Sequence, residues 1–170
     1  LFKVSSNFRD ATMVKMVTYT NNRIQALNEV IRRHIYSGNN EYYCGEILTG
    51  YDQNKNISNS VDYIVEKIRP HSFRGLNAFK LTLKNDENEL FDIVVLSRNN
   101  SEESISNLAE YIEILRQKAI ASKKSTDWGK FYQLVDSFQT PIDLVYDGRV
   151  IKRKSIDYGY CISAHNNCKN

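Results

Sequence analysis

In the phrase Glu113-Ile-Leu-Arg116, a carboxylate and a guanidinium stand three residues apart. On a helix this spacing places both groups on one face, where they could stabilise charge that develops in a reaction. The same spacing is also typical of a solvated ion pair that contributes little to stability. Glu113 and Arg116 are therefore the candidate catalytic pair, with an exposed ion pair as the alternative.

Other residue types narrow the possible chemistry. The three histidines and three cysteines show no Cys-x-x-Cys or His-x-x-x-His spacing, so we expect no zinc site. Glycine-rich phosphate loops are absent, and we expect no cofactor. A basic run on a predicted hairpin could contact phosphates, although a solvated strand face explains it equally well. That run consists of Arg149, Lys152, Arg153 and Lys154.

Apolar residues at helical spacing predict three helices. The first covers residues 18–35. The second covers residues 101–121, and Ser101 is its expected N-cap because two glutamates follow in the first turn. Thr126 is the expected N-cap of the third helix, which ends before Pro141.

Strand-like runs complete the predicted fold. They occupy residues 46–49, 78–83, 90–96, 142–146 and 150–154. Polar residues 84–89 turn one hairpin, and Asp147-Gly148 turns another. The predicted architecture is one α+β domain over residues 1–170, with a mixed sheet and packed helices.

Composition limits the protein class. The chain has 41% hydrophobic and 25% charged residues, which is typical of a globular protein and excludes a disordered one. Apolar runs of membrane-spanning length are absent from the sequence. A net charge of +3 permits an RNA partner without requiring one. The first residue is Leu1, so we expect a mature or excised chain.

Cysteines and sequons favour a secreted protein in an extracellular or vacuolar compartment. Cys44, Cys161 and Cys168 are odd in number, so in a secreted protein two could pair and the third could bond another chain. In a cytosolic protein they would be buried thiols. The sequons that begin at Asn56 and Asn99 lie in polar stretches and predict two glycosylation sites.

Two stretches near the ends of the chain carry a resemblance to a known family. Residues 7–31 read NFRDATMVKMVTYTNNRIQALNEVI, and residues 127–158 include the segments DWGKF and FQTPIDL. In this order they resemble the start and finish of ribosome-inactivating protein A chains, the ricin and trichosanthin family. That family opens with an Asn-Phe strand and a helix entered through Ser-Tyr-Thr. Late in its chain come Asn-Ser-Trp, a helix and a Phe-x-x-Pro-Ile-x-Leu strand.

The resemblance implies a secreted defence protein or toxin that removes one adenine from ribosomal RNA. In the family the adenine stacks between two tyrosines, an Arg helps to protonate the leaving base and a Glu stabilises the oxocarbenium-like sugar. The family's Glu-Ala-Ala-Arg motif assigns these last two roles to Glu113 and Arg116, although Ile114 and Leu115 replace the alanines. Trp128, the only tryptophan, matches the Trp that lines the site, although a packing role also suits it.

The two stacking tyrosines do not transfer to matching positions. The family's Gly-Tyr-Arg-Ala-Gly phrase corresponds to residues 96–100, so Arg98 matches as a substrate-binding residue and Ser97 replaces the tyrosine. The second tyrosine belongs to a central stretch that is shortened in this chain. Tyr111 and Tyr132 are candidates to replace them, and we expect Tyr111 to contact the substrate.

A rival alignment implies an inactive site. It matches Tyr111-Ile-Glu113 to a phrase just after the family motif, which leaves Ile105 and Leu108 at the catalytic positions. The chain would then be an inactive structural or storage subunit of a two-chain lectin. Two-chain members join a lectin chain through a Cys near the C-terminus, and Cys168 stands at the matching place.

A second alternative is an enzyme that transfers pyrophosphate. Arg9-Asp10 and the phrase Phe73-Arg-Gly-Leu-Asn, followed by a hairpin that contains Asp92, loosely resemble the alarmone synthetases. In those enzymes Asp10 would bind magnesium and Phe73 would stack a guanine. The acidic residue of the last strand would be Asp where that family has Glu.

Overall fold

The computed structural model describes residues 16–18, 21–53 and 56–163. These residues form three helices: α1 (Asn21–Ile35), α2 (Glu102–Ser122) and α3 (Ser125–Asp136). They also form nine strands: β1 (Met16–Thr18), β2 (Ile47–Gly50), β3 (Asp62–Phe73), β4 (Leu76–Lys84), β5 (Leu90–Leu96), β6 (Leu144–Tyr146), β7 (Arg149–Lys152), β8 (Ile156–Tyr158) and β9 (Cys161–Ser163). The predicted α+β class is confirmed. Within the described ranges, none of the helices has the length and apolar character needed to cross a membrane.

A five-stranded antiparallel sheet, in the order β5-β4-β3-β2-β8, separates two cores. Successive side chains of a strand point to opposite faces, so β4 contributes to both cores. Leu81 and Leu83 join the core beneath α1, whereas Leu76 and Ala78 join the core beneath α2 and α3. The helices therefore cover opposite faces of one sheet. Two smaller pairings, β1 with β9 and β6 with β7, lie outside it.

Helix α1 is attached to the sheet through a buried amide. Ile24 and Ile31 are buried at helical spacing, as the sequence predicts. Between them, Asn28 donates from Nδ2 to the carbonyl oxygen of Tyr158 at 2.8 Å, and its Oδ1 accepts from the Cys161 N–H at 2.8 Å. Both bonds join α1 to the segment that leads from β8 to β9, which fixes the helix along the sheet.

Helices α2 and α3 follow each other through a very short turn. The predicted N-cap of α2 is confirmed, because Ser101 Oγ accepts from the Ser104 N–H at 3.2 Å. At the other end Lys123 adopts a left-handed conformation that ends the helix. The prediction of Thr126 as the N-cap of α3 is wrong, since the helix begins at Ser125 and Lys124 is its N-cap. The left-handed residue reverses the chain at once, so α3 starts earlier than its sequence suggests.

Strand β3 is the longest strand described, and no local pattern in its sequence predicts it. Its second half is largely exposed, and a bulge between Val65 and Lys67 interrupts the alternation of its side chains. Pro70 lies within it, which argues against a strand when the sequence is read alone. The short strands β1, β8 and β9 were also not predicted. β8 is buried throughout and therefore shows no alternation.

The predicted basic run is divided by the fold. Lys152 is only 6% exposed, and its Nζ donates to the carbonyl oxygen of Val135 at 2.8 Å, near the C-terminus of α3. A cation in this place suits the helix dipole, although burial lowers the pKa of Lys152. Lys154 pairs with Asp157 at 2.9 Å. Only Arg149 and Arg153 of the run remain exposed, so the run does not form a continuous phosphate-binding strip.

We expect Lys152→Ala to lower the free energy of unfolding by about 2–3 kcal/mol, because a charge-assisted hydrogen bond and a buried aliphatic stem are lost together. Urea denaturation followed by fluorescence measures this change. Arg153→Ala is the matched control, because Arg153 is adjacent and exposed, and it should change stability by no more than about 0.5 kcal/mol. Equal losses in the two variants would contradict the role assigned to Lys152.

Candidate functional site

Glu113 and Arg116 form an ion pair on the side of α2 that packs against the β6–β7 hairpin. Arg116 Nη1 lies 3.3 Å from Glu113 Oε2, and Gln117 Nε2 donates to Glu113 Oε1 at 2.6 Å. The hydrogen bond from Gln117 lowers the pKa of Glu113, and Arg116 and the nearby Arg149 add to this effect. The Arg116 side chain is 48% exposed, whereas that of Glu113 is 13% exposed. The pair therefore lies at the surface, with the guanidinium in contact with solvent and the carboxylate largely covered.

Trp128 belongs to an aromatic cluster at the start of α3. Its ring is 5.8 Å from the ring of Phe131, in an edge-to-face arrangement, and 5.8 Å from the ring of Tyr132, to which it is nearly parallel. Phe131 packs into the core shared with α2, whereas Tyr132 is exposed. Trp128 is half-buried between them. The cluster anchors α3 on one side and presents aromatic surface to solvent on the other.

Tyr111 lies in a groove between α2, α3 and the turn that joins β3 to β4. Two adjoining hollows of about 300 and 400 Å³ share Tyr111 and Arg74, and the second also includes Lys130. We call this feature the Tyr111 groove. Its polar lining consists of Arg74, Ser104, Asn107, Tyr111, Lys130, Gln133 and Ser137. Among the described residues that line the groove, none carries a carboxylate.

The turn between β3 and β4 positions Arg74 against the tyrosine. Arg74 and Gly75 both have positive φ, as in two-residue hairpin turns, and glycine adopts that conformation without strain. The Arg74 guanidinium carbon consequently lies 4.4 Å from the centroid of the Tyr111 ring. The Tyr111 side of the groove stays accessible, since Tyr111 is 38% exposed.

Arg98 is largely buried among groups of the protein itself and does not face an open site. Its Nη2 pairs with Asp157, and its backbone N–H donates to the carboxylate of Glu41. Burial lowers the pKa of Arg98, but the Asp157 carboxylate together with Tyr158 and Tyr42 raises the pKa by more, so the guanidinium stays charged. Ser97 is buried, and its hydroxyl donates to Glu41. The position expected from the resemblance to hold a stacking tyrosine is thus filled by a hydrogen-bonded serine.

A second cleft, of about 290 Å³, lies beside Arg98 and is lined partly by Arg32, Tyr43 and Tyr158. Arg32 pairs with the buried carboxylate of Glu46, and its guanidinium carbon lies 4.0 Å from the centroid of the Tyr158 ring. Arg98 contacts the same ring at 4.6 Å. The charged and aromatic groups of this cleft therefore contact one another, through an ion pair and through cations that lie over the Tyr158 ring.

The predicted modification sites differ in exposure. Asn56 and Asn99 are both exposed, and Asn99 lies at the rim of the second cleft. Cys44 is exposed and Cys161 is buried, and both are free thiols. Burial raises the pKa of the Cys161 thiol to about 11. Cys168 lies outside the described residues.

Residues of the alarmone-synthetase alternative are not brought together. Phe73 packs against Phe138, with 4.8 Å between ring centroids, and Asp92 pairs with Lys80 at 3.0 Å. On β4 their cross-strand neighbours are Leu76 and Thr82, so they lie about 20 Å apart along the sheet. Asp10 lies outside the described residues.

Of the residues predicted for the adenine-removing site, only Tyr111 lines the groove, and Phe73 of the alarmone-synthetase alternative lines it as well. The cationic neighbours of Tyr111, Arg74 and Lys130, were not predicted, because Arg74 reaches α2 only through the unpredicted strand β3. The rival alignment puts Ile105 and Leu108 at the catalytic positions. Of these two residues, Leu108 lines the groove and Ile105 packs into the adjoining core. No model of a known protein family matches this chain, and no characterised protein matches its sequence significantly.

We expect Arg98→Ala to lower the free energy of unfolding by about 3 kcal/mol or more, because Asp157 would then be a buried carboxylate with Lys154 as its one remaining cation in the described chain. Arg33→Ala is the control, since its ion pair with Glu29 is exposed and should contribute no more than about 1 kcal/mol. Urea denaturation of both variants gives the comparison. Unchanged stability in the Arg98 variant would leave ligand binding as the better interpretation of that residue.

Proposed function

We propose that this chain is a ribosome-inactivating-protein-like domain that binds single-stranded RNA and does not release adenine from it. The observation that carries the proposal is the chemistry of the Tyr111 groove, which offers two cations and an exposed ring but no carboxylate. Cleavage of a glycosidic bond needs a carboxylate near the anomeric carbon. Binding of a single strand needs only cations for the phosphates and a ring on which a base can stack.

The position of Glu113 supports the absence of adenine release. Tyr111 and Glu113 are two residues apart on a helix with 3.6 residues per turn, so their side chains project about 160° apart. A base stacked on Tyr111 would therefore have the Glu113 carboxylate on the far side of the helix. Arg116 forms its ion pair with Glu113 on that far side of the helix, so Arg116 is also distant from the groove.

The groove also has the layout expected for an extended ligand. Its two hollows meet at Tyr111, so a base on the ring would have a neighbour on either side. Arg74 is held over one face of the ring, so a base would stack on the other face and its phosphate would lie within reach of the guanidinium. Amide and hydroxyl groups of Asn107, Gln133 and Ser137 provide hydrogen bonds that suit any base edge.

Ribosomes treated with the pure chain and then with aniline should give no discrete RNA fragment, because no carboxylate would meet the stacked base. Arg116→Gln should give the same result as the unchanged chain. An active family member serves as the positive control. A discrete fragment that Arg116→Gln abolishes would show the opposite, since an acid that protonates the leaving base is worth about 10²–10⁴ in rate.

Binding of a single-stranded RNA oligonucleotide should depend on the groove. Tyr111→Ala should weaken binding by about 1–3 kcal/mol through lost stacking. Lys130→Gln should reduce the slope of log affinity against log salt by about 0.7, the value for one phosphate contact on a single strand. Fluorescence anisotropy at several salt concentrations measures both effects.

Tyr132→Ala is the matched control for this measurement, because Tyr132 is also an exposed helical tyrosine and is not part of the groove. Equal losses for Tyr111→Ala and Tyr132→Ala would exclude the groove as the binding site. If the chain neither binds RNA nor releases adenine, the inactive structural or storage subunit is the function that remains.

A further inference from the structure

The end of α2, the turn after it and the start of α3 are rich in cations, although the two helices and their turn together, residues 102–136, hold five cations and six carboxylates. Residues 114–132 contain five lysine and arginine side chains and one carboxylate, Asp127, a net charge of +4. The whole chain has a net charge of +3. The remainder of the molecule is therefore close to neutral, and its cationic character is concentrated at the turn between α2 and α3.

The cations of this turn lie close together and are free to attract a partner. Lys123 and Lys124 are the two residues that separate the helices. The pKa of Asp127 is lowered mainly by a hydrogen bond from Ser122, and the positive charges of Lys118 and Lys124 lower this pKa further. Within the described part of the chain, Lys118, Lys123 and Lys124 are exposed and have no ion-pair partner.

Large apolar side chains are exposed on the same pair of helices. Tyr132 is 55% exposed and lies against Trp128, and Ile120, in the last turns of α2, is 44% exposed. We call these residues, together with Lys123 and Lys124, the α2–α3 surface. Its members are Ile120, Lys123, Lys124, Trp128 and Tyr132.

We propose that the α2–α3 surface binds an anionic lipid bilayer. Lysines near such a bilayer are attracted by its negative potential, and each adds to the affinity. Tryptophan and tyrosine favour the boundary between head groups and acyl chains, where a ring can be buried while its polar atom stays hydrated. An exposed isoleucine gains from burial in lipid, whereas a phosphate backbone offers it nothing. This combination favours a membrane over a nucleic acid as the partner.

The bilayer surface is separate from the RNA-binding groove, so the two proposals stand independently. The groove residues Tyr111 and Arg74 are not members of the α2–α3 surface, and neither Lys123 nor Lys124 lines the groove. Variants of one site can thus be tested in the assay for the other.

The only tryptophan of the chain, Trp128, reports directly on this surface. With vesicles of phosphatidylcholine and phosphatidylserine, we expect the full chain to co-sediment, the Trp128 emission to shift to the blue and acrylamide quenching to fall. Phosphatidylcholine vesicles should give none of these changes. High salt should release the protein, because it screens the attraction of exposed lysines.

Two variants test the charged and the apolar parts of the surface. Lys123→Glu with Lys124→Glu removes the net positive charge of residues 114–132 and should weaken vesicle binding roughly tenfold or more. Tyr132→Ser keeps the charge, and it should reduce both the binding and the blue shift. The matched control is Lys67→Glu with Arg69→Glu, the same change of charge at exposed positions of β3, which should leave vesicle binding nearly unchanged. Circular dichroism confirms that each variant is folded.

Several outcomes would overturn the proposal. Equal binding to vesicles without phosphatidylserine would remove the role of the lysines, and an equal loss in the β3 control would make the attraction nonspecific. Co-sedimentation without a change in Trp128 emission would place the contact elsewhere. If the Lys123 and Lys124 variant loses RNA binding and the unchanged chain ignores vesicles, the surface belongs to RNA.

Discussion

The pairing of Arg98 with Asp157 is the interaction on which the arrangement of this fold depends. Arg98 follows β5 and Asp157 lies in β8, and these are the two edge strands of the five-stranded sheet. Both edges are also bridged by the backbone, because Gln139 bonds to β5 and Thr140 bonds to Ser155 just before β8. Separating this ion pair would leave Asp157 buried with Lys154 as its one remaining cation in the described chain, which costs several kcal/mol.

The contact between the two sheet edges determines the position and rotation of α2. The loop that begins with Ser97 and Arg98 is held to Glu41 by its hydroxyl and backbone N–H, and it leads directly into the N-cap at Ser101. The start of α2 is therefore fixed relative to the sheet, and its buried stripe then fixes its rotation. That rotation directs Tyr111 toward the turn between β3 and β4 and directs Glu113 toward the β6–β7 hairpin.

Local patterns predicted the elements that have a regular apolar period. Helices α1 and α2 and strands β4 and β5 were predicted because one face of each is buried along most of its length. Strand β3 was not predicted, since an exposed half, a bulge and Pro70 conceal its period. The roles of Lys152 and Arg98 could not be predicted from the sequence for a different reason. Their partners, Val135 and Asp157, are 17 and 59 residues away in sequence, so no local signal identifies them.

The sequence of α2 itself favours a binding role for the groove over a catalytic one. Residues that share a helix face with Tyr111 stand three or four positions away. These positions hold Asn107, Leu108, Ile114 and Leu115, none of which can donate or accept a proton in acid–base catalysis. Across the groove, α3 supplies Lys130, Gln133 and Ser137, again without a carboxylate. A carboxylate would have to enter from outside this set, whereas phosphate and base contacts can be made by the residues already present.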